Sequence, residues 1–261
     1  MDKKVVVMSD LHSGHRAGLT SPGWQYPLEA TSATKVKYAK MQRYVWDWYT
    51  ETIKSLQPID VLIVNGDAVD GKGYRSGGTE QITTDMNDQI AIAQECIEVA
   101  KAQEIVMTHG TEYHVGSDDD WETPLAKSLG ATIVSHHDFT FNGVVFDLKH
   151  HIGGSSVPYG RNTAPAKEAV WDILLAVKKG KAQADVIIRS HVHYFTYCGD
   201  GDVLAIITPA LQGPGSKFGA KKMSGTVDMG LLVFDIKEDG RYSWHPELLD
   251  MEPFMDQPIE L

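Results

Sequence analysis

Short apolar runs alternate with longer amphipathic stretches along the first half of the chain. "VVVM" (5–8), "VLIV" (61–64) and "EIVM" (104–107) have the continuous β-branched character of strands that are covered on both faces. The stretches between them, 37–56 and 82–103, carry apolar residues at helical spacing. The pattern therefore predicts a β-α-β-α-β order.

The second half of the chain has the pattern of hairpins. Asn142-Gly143 stands between two alternating segments, in the position that a type I′ turn favours. A helix over 164–180 and a strand over 184–191 follow, with further hairpins around 199–202 and 238–241. Parallel units followed by hairpins predict an α/β fold: a four-layer αββα sandwich of two mixed β-sheets flanked by helices.

No linker, low-complexity tract or internal repeat interrupts the chain, so we expect one domain over residues 1–261. Thirty-five acidic against 24 basic residues give a formal charge of −11, which disfavours a surface that holds nucleic acid non-specifically. Neither a signal peptide nor a membrane span is indicated. Two distant cysteines, Cys96 and Cys198, fit a reducing compartment, so we expect a cytoplasmic protein.

Ionisable residues follow five of the predicted strands. The carboxyl ends of strands in open α/β sheets are where ligands bind, and residues i and i+2 of a strand point the same way. One such pair has an ordinary explanation as a capping Asp and a surface His, but five strand ends together predict a metal site. The residues are Asp10 and His12; Asp67 and Asp70; His109, Glu112 and His114; His150 and His151; His191 and His193.

The donor types indicate which metals would suit this site. Carboxylates mixed with imidazoles, without thiolates, suit Mn, Fe, Zn or Ni better than Ca, whose sites use oxygen only. About seven ligand groups would serve two ions that share a bridging carboxylate, ~3.5–4 Å apart. The sequence therefore predicts two divalent metal ions, with Mn favoured.

The order of these motifs resembles the calcineurin-like metallophosphoesterase superfamily. The resemblance spans residues 8 to 193, and the form Gly-Thr-Glu-x-His is similar to phage- and prophage-type members. The motifs, in order, are Asp10-x-His12, Gly66-Asp67-x-x-Asp70, a glycine-containing turn near His114, His150, and His191-x-His193.

The resemblance implies a role for each matching residue. Asp10, His12 and His193 would hold the first metal ion. Asp67 would bridge the two ions, and His150 and His191 would hold the second. It also implies hydrolysis of a phosphodiester or phosphomonoester by in-line attack of a metal-bound hydroxide.

The third strand end departs from the family pattern. The family usually shows Gly-Asn-His-Asp/Glu, whereas here Thr111 stands in the Asn position and Glu112 in the His position. We interpret His114 as the displaced catalytic residue and Glu112 as the missing oxygen ligand. The alternative is that Glu112 lies behind the ligands and the second ion binds weakly.

Two neighbouring histidines raise a similar question. His150 is preferred over His151, although a one-residue shift along a strand exchanges the two faces. His109 is interpreted as structural.

Two loops offer further substrate contacts, through Lys72 and Arg75 in one and Tyr159 and Arg161 in the other.

Several functions share such a metal centre. The expected partner is a phosphate-ester substrate, with a small molecule or nucleotide favoured over nucleic acid. The alternatives are a nuclease acting on DNA or RNA within the same family and a non-catalytic metal-binding scaffold with a phosphoesterase fold. A zinc amidohydrolase is disfavoured, because it would present His-x-His on its first strand and Asp on its last.

Overall fold

The computed structural model of the chain describes residues 1–74, 76–115, 120–215 and 226–254. These ranges contain eleven β-strands and five α-helices. The strands are β1 (Lys3–Met8), β2 (Val61–Asn65), β3 (Glu104–Thr108), β4 (Thr132–Val134), β5 (His136–Phe141), β6 (Val144–Lys149), β7 (Val186–Arg189), β8 (Thr196–Gly199), β9 (Leu204–Ile207), β10 (Met229–Ile236) and β11 (Tyr242–Leu249). The helices are α1 (Ala33–Leu56), α2 (Met86–Glu98), α3 (Glu112–Val115), α4 (Glu122–Leu129) and α5 (Thr163–Lys179).

The strands form two mixed sheets. The first has the order β11-β10-β1-β2-β3-β4, in which β1 to β4 are parallel and β10 runs antiparallel to β1. The second has the order β5-β6-β7-β9-β8, with β6, β7 and β9 parallel. The parallel pairs β1-β2 and β2-β3 come from βαβ units and the antiparallel pairs β5-β6, β8-β9 and β10-β11 from hairpins, as the sequence pattern indicated.

Alternate residues of β1 enter two different cores. Val5 and Val7 pack between the sheets in a cluster that includes Phe146 and Phe234. Val6 and Met8 face the helices α1, α2 and α4. Since α5 contacts the other side of the second sheet, the order is helix, sheet, sheet, helix. This confirms the predicted four-layer αββα sandwich.

The predicted turn at Asn142-Gly143 also forms. Asn142 and Gly143 both have positive φ, at 49° and 85°, as a type I′ turn requires. Gly130 and Gly180 end α4 and α5 in the left-handed conformation. No helix in the described ranges combines the length and hydropathy of a membrane span.

A buried polar chain joins the two sheets at the carboxyl ends of their parallel strands. Ser9, after β1, contacts Thr208, after β9, at 2.7 Å between hydroxyl oxygens. Ser190 contacts the same Thr208 hydroxyl at 2.7 Å and accepts a hydrogen bond from Asn65 at 2.6 Å. These links fix the strand ends of both sheets at one edge, directly below the predicted site.

Candidate metal centre

The backbone is strained where the predicted site residues lie. Seven non-glycine residues in the described part of the chain have positive φ, and five of them are predicted metal ligands. Such conformations cost free energy and persist where the surroundings hold them in place, often at functional sites. The five, with φ between 45° and 76°, are Asp10, His12, Asp67, His191 and His193.

Asp10, His12 and His193, termed the Asp10 group, meet at the ends of β1 and β7. Their candidate ligand atoms lie within 4.8 Å of one another. His193 Nε2 is 3.2 Å from Asp10 Oδ1, and 3.2 Å from His12 Nε2. The Asp10 carboxylate and the edges of the two imidazole rings therefore point into one small volume.

Asp67, His150 and His191, termed the Asp67 group, meet beside it. Asp67 Oδ2 is 3.0 Å from His150 Nε2 and 3.9 Å from His191 Nδ1. His150 Nδ1 donates to the carbonyl oxygen of Asn65 at 2.6 Å, which leaves Nε2 facing the carboxylate.

Asp67 also reaches the Asp10 group. Its Oδ2 is 4.0 Å from His12 Nε2, so one carboxylate lies between the imidazoles of both groups. Gly110 allows this position, since a Cβ there would lie 2.1 Å from Asp67 Oδ1. The Asp67 carboxylate therefore lies within 4.0 Å of imidazole nitrogens from both groups.

The donor set fits a divalent cation. Asp10 Oδ1 is fully buried and has no well-directed hydrogen bond in the described structure, although His193 Nε2 lies 3.2 Å away. A buried carboxylate oxygen without a partner is costly unless a cation satisfies it. Likewise, His12 Nε2 and His193 Nε2 face each other at 3.2 Å, an arrangement typical of two nitrogens that share a cation.

The pKa shifts show how burial and neighbouring opposite charges compete at the site. Burial alone would raise the pKa of Asp10, but the imidazoles of His193 and His12 outweigh it and hold this pKa far below its usual range. Burial lowers the pKa of His12, yet Asp10 and Asp70 raise it overall to about 10. His150 is raised to a pKa of about 10 in the same way, by Asp67 and Asp10. The buried carboxylates therefore bind positive charge strongly at this edge.

The third strand end differs from the sequence interpretation. Glu112 opens α3 with its side chain exposed, and it belongs to none of the Asp/His groups found in the described residues. Thr111 instead contacts the site: its amide donates to Asp67 Oδ1 at 2.7 Å and its hydroxyl at 3.1 Å. The structure therefore does not bring the predicted oxygen ligand Glu112 to the site.

His114 does reach the site. Its ligand atom lies within 4.8 Å of those of His12 and Asp67. His114 Nδ1 is 2.8 Å from the carbonyl oxygen of Asp70, and the Asp70 carboxylate is 2.8 Å from His12 Nδ1. Asp70 therefore orients two of the imidazoles at once.

Of the remaining histidines, His150 lies in the site, whereas His151 and His109 do not. His150 is 1% exposed and faces Asp67, whereas His151 is exposed and only its ring approaches His191. His109 turns away from both groups towards Asp120, at 3.1 Å, and stands in none of the Asp/His groups found among the described residues.

Two buried residues that the sequence reasoning missed support the site. Glu122 accepts hydrogen bonds from the amides of Ala68 at 2.8 Å and Gly110 at 2.5 Å. It therefore links the residue after Asp67 to the residue before Thr111. Gln89 accepts from the Asp70 amide at 3.1 Å. Neither residue has a sequence signal, since each is one of several polar residues in its helix.

A cavity of about 1010 Å³ opens above both groups. Arg161 lines it together with His191, and its guanidinium lies 4.4 Å from the ring centre of Tyr194. Of the other loop candidates, Tyr159 and Lys72 are exposed and do not line the cavity. Arg75 lies outside the described residues.

No family model and no curated protein sequence matches the chain. Solved structures do show similarity to it. Vps29 complexed with Zn²⁺ from Entamoeba histolytica is 13% identical, with 94% of this chain and 98% of that chain covered and a TM-score of 0.43. An archaeal phosphodiesterase is 17% identical, with 94% and 99% covered and a TM-score of 0.44.

A predicted phosphoesterase from Streptococcus pneumoniae is 10% identical, with 95% of this chain and 99% of that chain covered and a TM-score of 0.38. Each of these three structures is similar to the chain over 94% or 95% of its length.

Proposed function

We propose that the protein is a metal-dependent phosphoric ester hydrolase. The Asp10 group would hold one divalent cation and the Asp67 group a second, with Asp67 shared between them. The observation that carries this proposal is that two Asp/His groups converge on one buried carboxylate. When bound, the two cations would activate a water molecule and neutralise charge on the phosphoryl oxygens. Mn²⁺ is the favoured ion because the donors mix carboxylate oxygen with imidazole nitrogen.

The chain's own hydrogen bonds would hold the ligand atoms in place. The Asp70 carboxylate fixes Nδ1 of His12, and the Asn65 carbonyl fixes Nδ1 of His150. Each contact leaves Nε2 turned towards the carboxylates of the site. Partners of this kind set the tautomer and the ring orientation of a metal-binding histidine.

His114 is the proposed proton donor. Its Nδ1 contacts the Asp70 carbonyl, which can only accept, so Nδ1 carries a hydrogen. In the imidazolium form Nε2 also carries a proton, which it would pass to the leaving oxygen, leaving the neutral ring with its hydrogen on Nδ1. Its ring also lines the cavity, where the substrate would lie. The same position would let it steady a phosphoryl oxygen.

Arg161 is the proposed contact for the substrate phosphate. Stacking on Tyr194 holds its guanidinium at the wall of the cavity, and a planar guanidinium matches two phosphate oxygens. The acidic chain as a whole favours a small molecule or nucleotide over long nucleic acid. Both phosphodiesters and phosphomonoesters remain within this proposal.

The test is the initial rate on matched chromogenic phosphodiester and phosphomonoester substrates across a Mn²⁺ titration. We expect metal-dependent turnover that His150→Ala lowers by about 100-fold or more, whereas the neighbouring His151→Ala leaves it within about threefold. The ratio of diester to monoester rates then separates the substrate classes. Absence of turnover on both substrates, with two ions bound per chain, would instead support the metal-binding scaffold.

A further inference from the structure

Helix α5 is oriented with its polar side towards the protein. Pro165 and Asp172 are its buried residues, and the half-buried Glu168 also faces the second sheet. The large apolar side chains point to solvent. They are Val170 and Trp171, each 56% exposed, Ile173 at 41%, Leu174 at 37%, Leu175 at 39% and Val177 at 81%. These six residues are termed the outer face of α5.

The charge of the sheet explains this orientation. Arg189 and Lys149 stand on the side of the second sheet that α5 covers, and both donate to Glu168, at 2.8 Å and 2.9 Å. Lys181 donates to Asp172 at 2.8 Å. Because buried charges need partners, the helix must turn its acidic side inwards. Its apolar side is then left without cover in the described structure.

The spacing of the exposed residues indicates what would cover them. Ala166, Val170, Ile173 and Val177 are separated by four, three and four positions and all are exposed. This is the spacing of side chains that pack against a second helix. No charged side chain interrupts the run, and Lys167 and Lys178 lie at its margin. The pattern therefore favours a helix as the partner.

We infer that the outer face of α5 is the interface of a homodimer, in which α5 of two copies packs antiparallel about a twofold axis. Such an interface is self-complementary, because each patch meets its own copy. With the axis between Ile173 and Leu174, Ile173 of each copy meets the partner's Leu174. Val170 then meets the partner's Val177.

The exposed area is sufficient for this interface. At the stated exposed fractions, the outer face presents on the order of 500 Å², so two copies would bury ~1,000 Å², the lower bound for a specific protein interface. A lipid surface is the less favourable occupant, because a membrane-bound helix turns its polar side to water, whereas the polar side of α5 lies on the sheet. The chain's charge of −11 also opposes an anionic membrane.

The test is sedimentation velocity of the full chain with two matched variants. Wild type should sediment at micromolar concentration with twice the monomer mass of 28.8 kDa. Ile173→Glu should weaken the dimer by at least about 100-fold, because two like charges then meet near the axis. The control Leu28→Glu introduces the same charge at an apolar residue that is 43% exposed elsewhere, and should leave the dimer intact.

Val177→Glu provides an independent second variant at the most exposed residue of the outer face, and far-UV circular dichroism checks that each variant is folded. A monomeric wild type would overturn the inference. So would a dimer that survives both Ile173→Glu and Val177→Glu, since another surface must then hold it. A monomer that binds anionic phosphatidylglycerol vesicles would reassign the outer face of α5 to lipid. This inference does not depend on the proposed catalysis.

Discussion

The two ligand groups of the candidate metal centre are built differently. In the Asp10 group, Asp10 and His12 are almost fully buried, and Asp70 holds His12 from behind. In the Asp67 group, the side chain of His191 is 33% exposed. Thr111 donates hydrogen bonds to the Asp67 carboxylate from its amide and its hydroxyl. Each group has three ligands and a supporting hydrogen bond to one histidine, so the difference lies in burial: His193 is 17% exposed and His191 33%. We therefore expect the first ion to bind more tightly than the second.

The largest effect should come from Gly110, which adjoins the carboxylate that both groups share. A Cβ at this position would lie 2.1 Å from Asp67 Oδ1 and 2.4 Å from the Asp67 amide nitrogen. Gly110→Ala should therefore displace Asp67 and lower Mn²⁺-dependent turnover by about 1,000-fold. Gly23→Ala, where nothing lies within 4 Å of the added carbon, is the control and should leave the rate unchanged. Equal rates in the two variants would argue against a shared Asp67.

Removing one histidine from each group should distinguish the binding affinities of the two ions. His193→Ala should weaken the tighter ion by about 100-fold or more, because it removes one of the three ligands of the Asp10 group. His191→Ala should affect the more weakly bound ion, so excess Mn²⁺ should restore more turnover in this variant than in His193→Ala. The measurement is the Mn²⁺ dependence of the initial rate. If excess Mn²⁺ rescues His193→Ala better than His191→Ala, the assigned order of affinity is wrong.

Asp70→Asn should have a smaller effect that is confined to one group. The carboxylate supports His12 but stands in none of the Asp/His groups found among the described residues. Losing such a supporting partner costs about 10–100-fold in metal affinity. Binding calorimetry should show a weaker first ion and an unchanged second ion. A change confined to the second ion would contradict the role assigned to Asp70.

Glu122→Gln should have the smallest effect and should appear in the pH dependence of stability. Burial and the Asp67 charge raise the pKa of Glu122 from 4.5 to about 7. A raised pKa means that the group's contribution to stability is present below pH 4.5 and is lost as the pH rises through about 7. Wild type should therefore gain stability relative to Glu122→Gln as the pH falls across this window. Denaturant unfolding of both proteins after chelator treatment measures this, and a constant difference would contradict it.

Much of the site follows from strand ends, which the sequence displays directly. Apolar runs locate β1, β2 and β7, and the residues after them, such as Asp10, Asp67 and His193, converge because parallel strands end at one edge. Glu112 could not be placed in this way. It lies at the start of α3, after a loop whose course no periodicity determines, and its side chain consequently points to solvent.

Other features depend on contacts between distant segments. Glu122 reaches Ala68 and Gly110 only because α4 packs against the loops after β2 and β3. The sequence also predicted α5 but not its orientation. That depends on charged residues of β6 and β7, of which Arg189 is one, and these face the helix only once the second sheet has formed.

The most direct test of the central proposal is the stoichiometry of Mn²⁺ binding, measured by titration calorimetry on wild type and Asp67→Asn. The shared carboxylate predicts two ions per wild-type chain, the first bound more tightly, and weaker binding of both in Asp67→Asn. One ion or none in wild type, or two ions bound with unchanged affinity in Asp67→Asn, would contradict a centre of two cations built on Asp67.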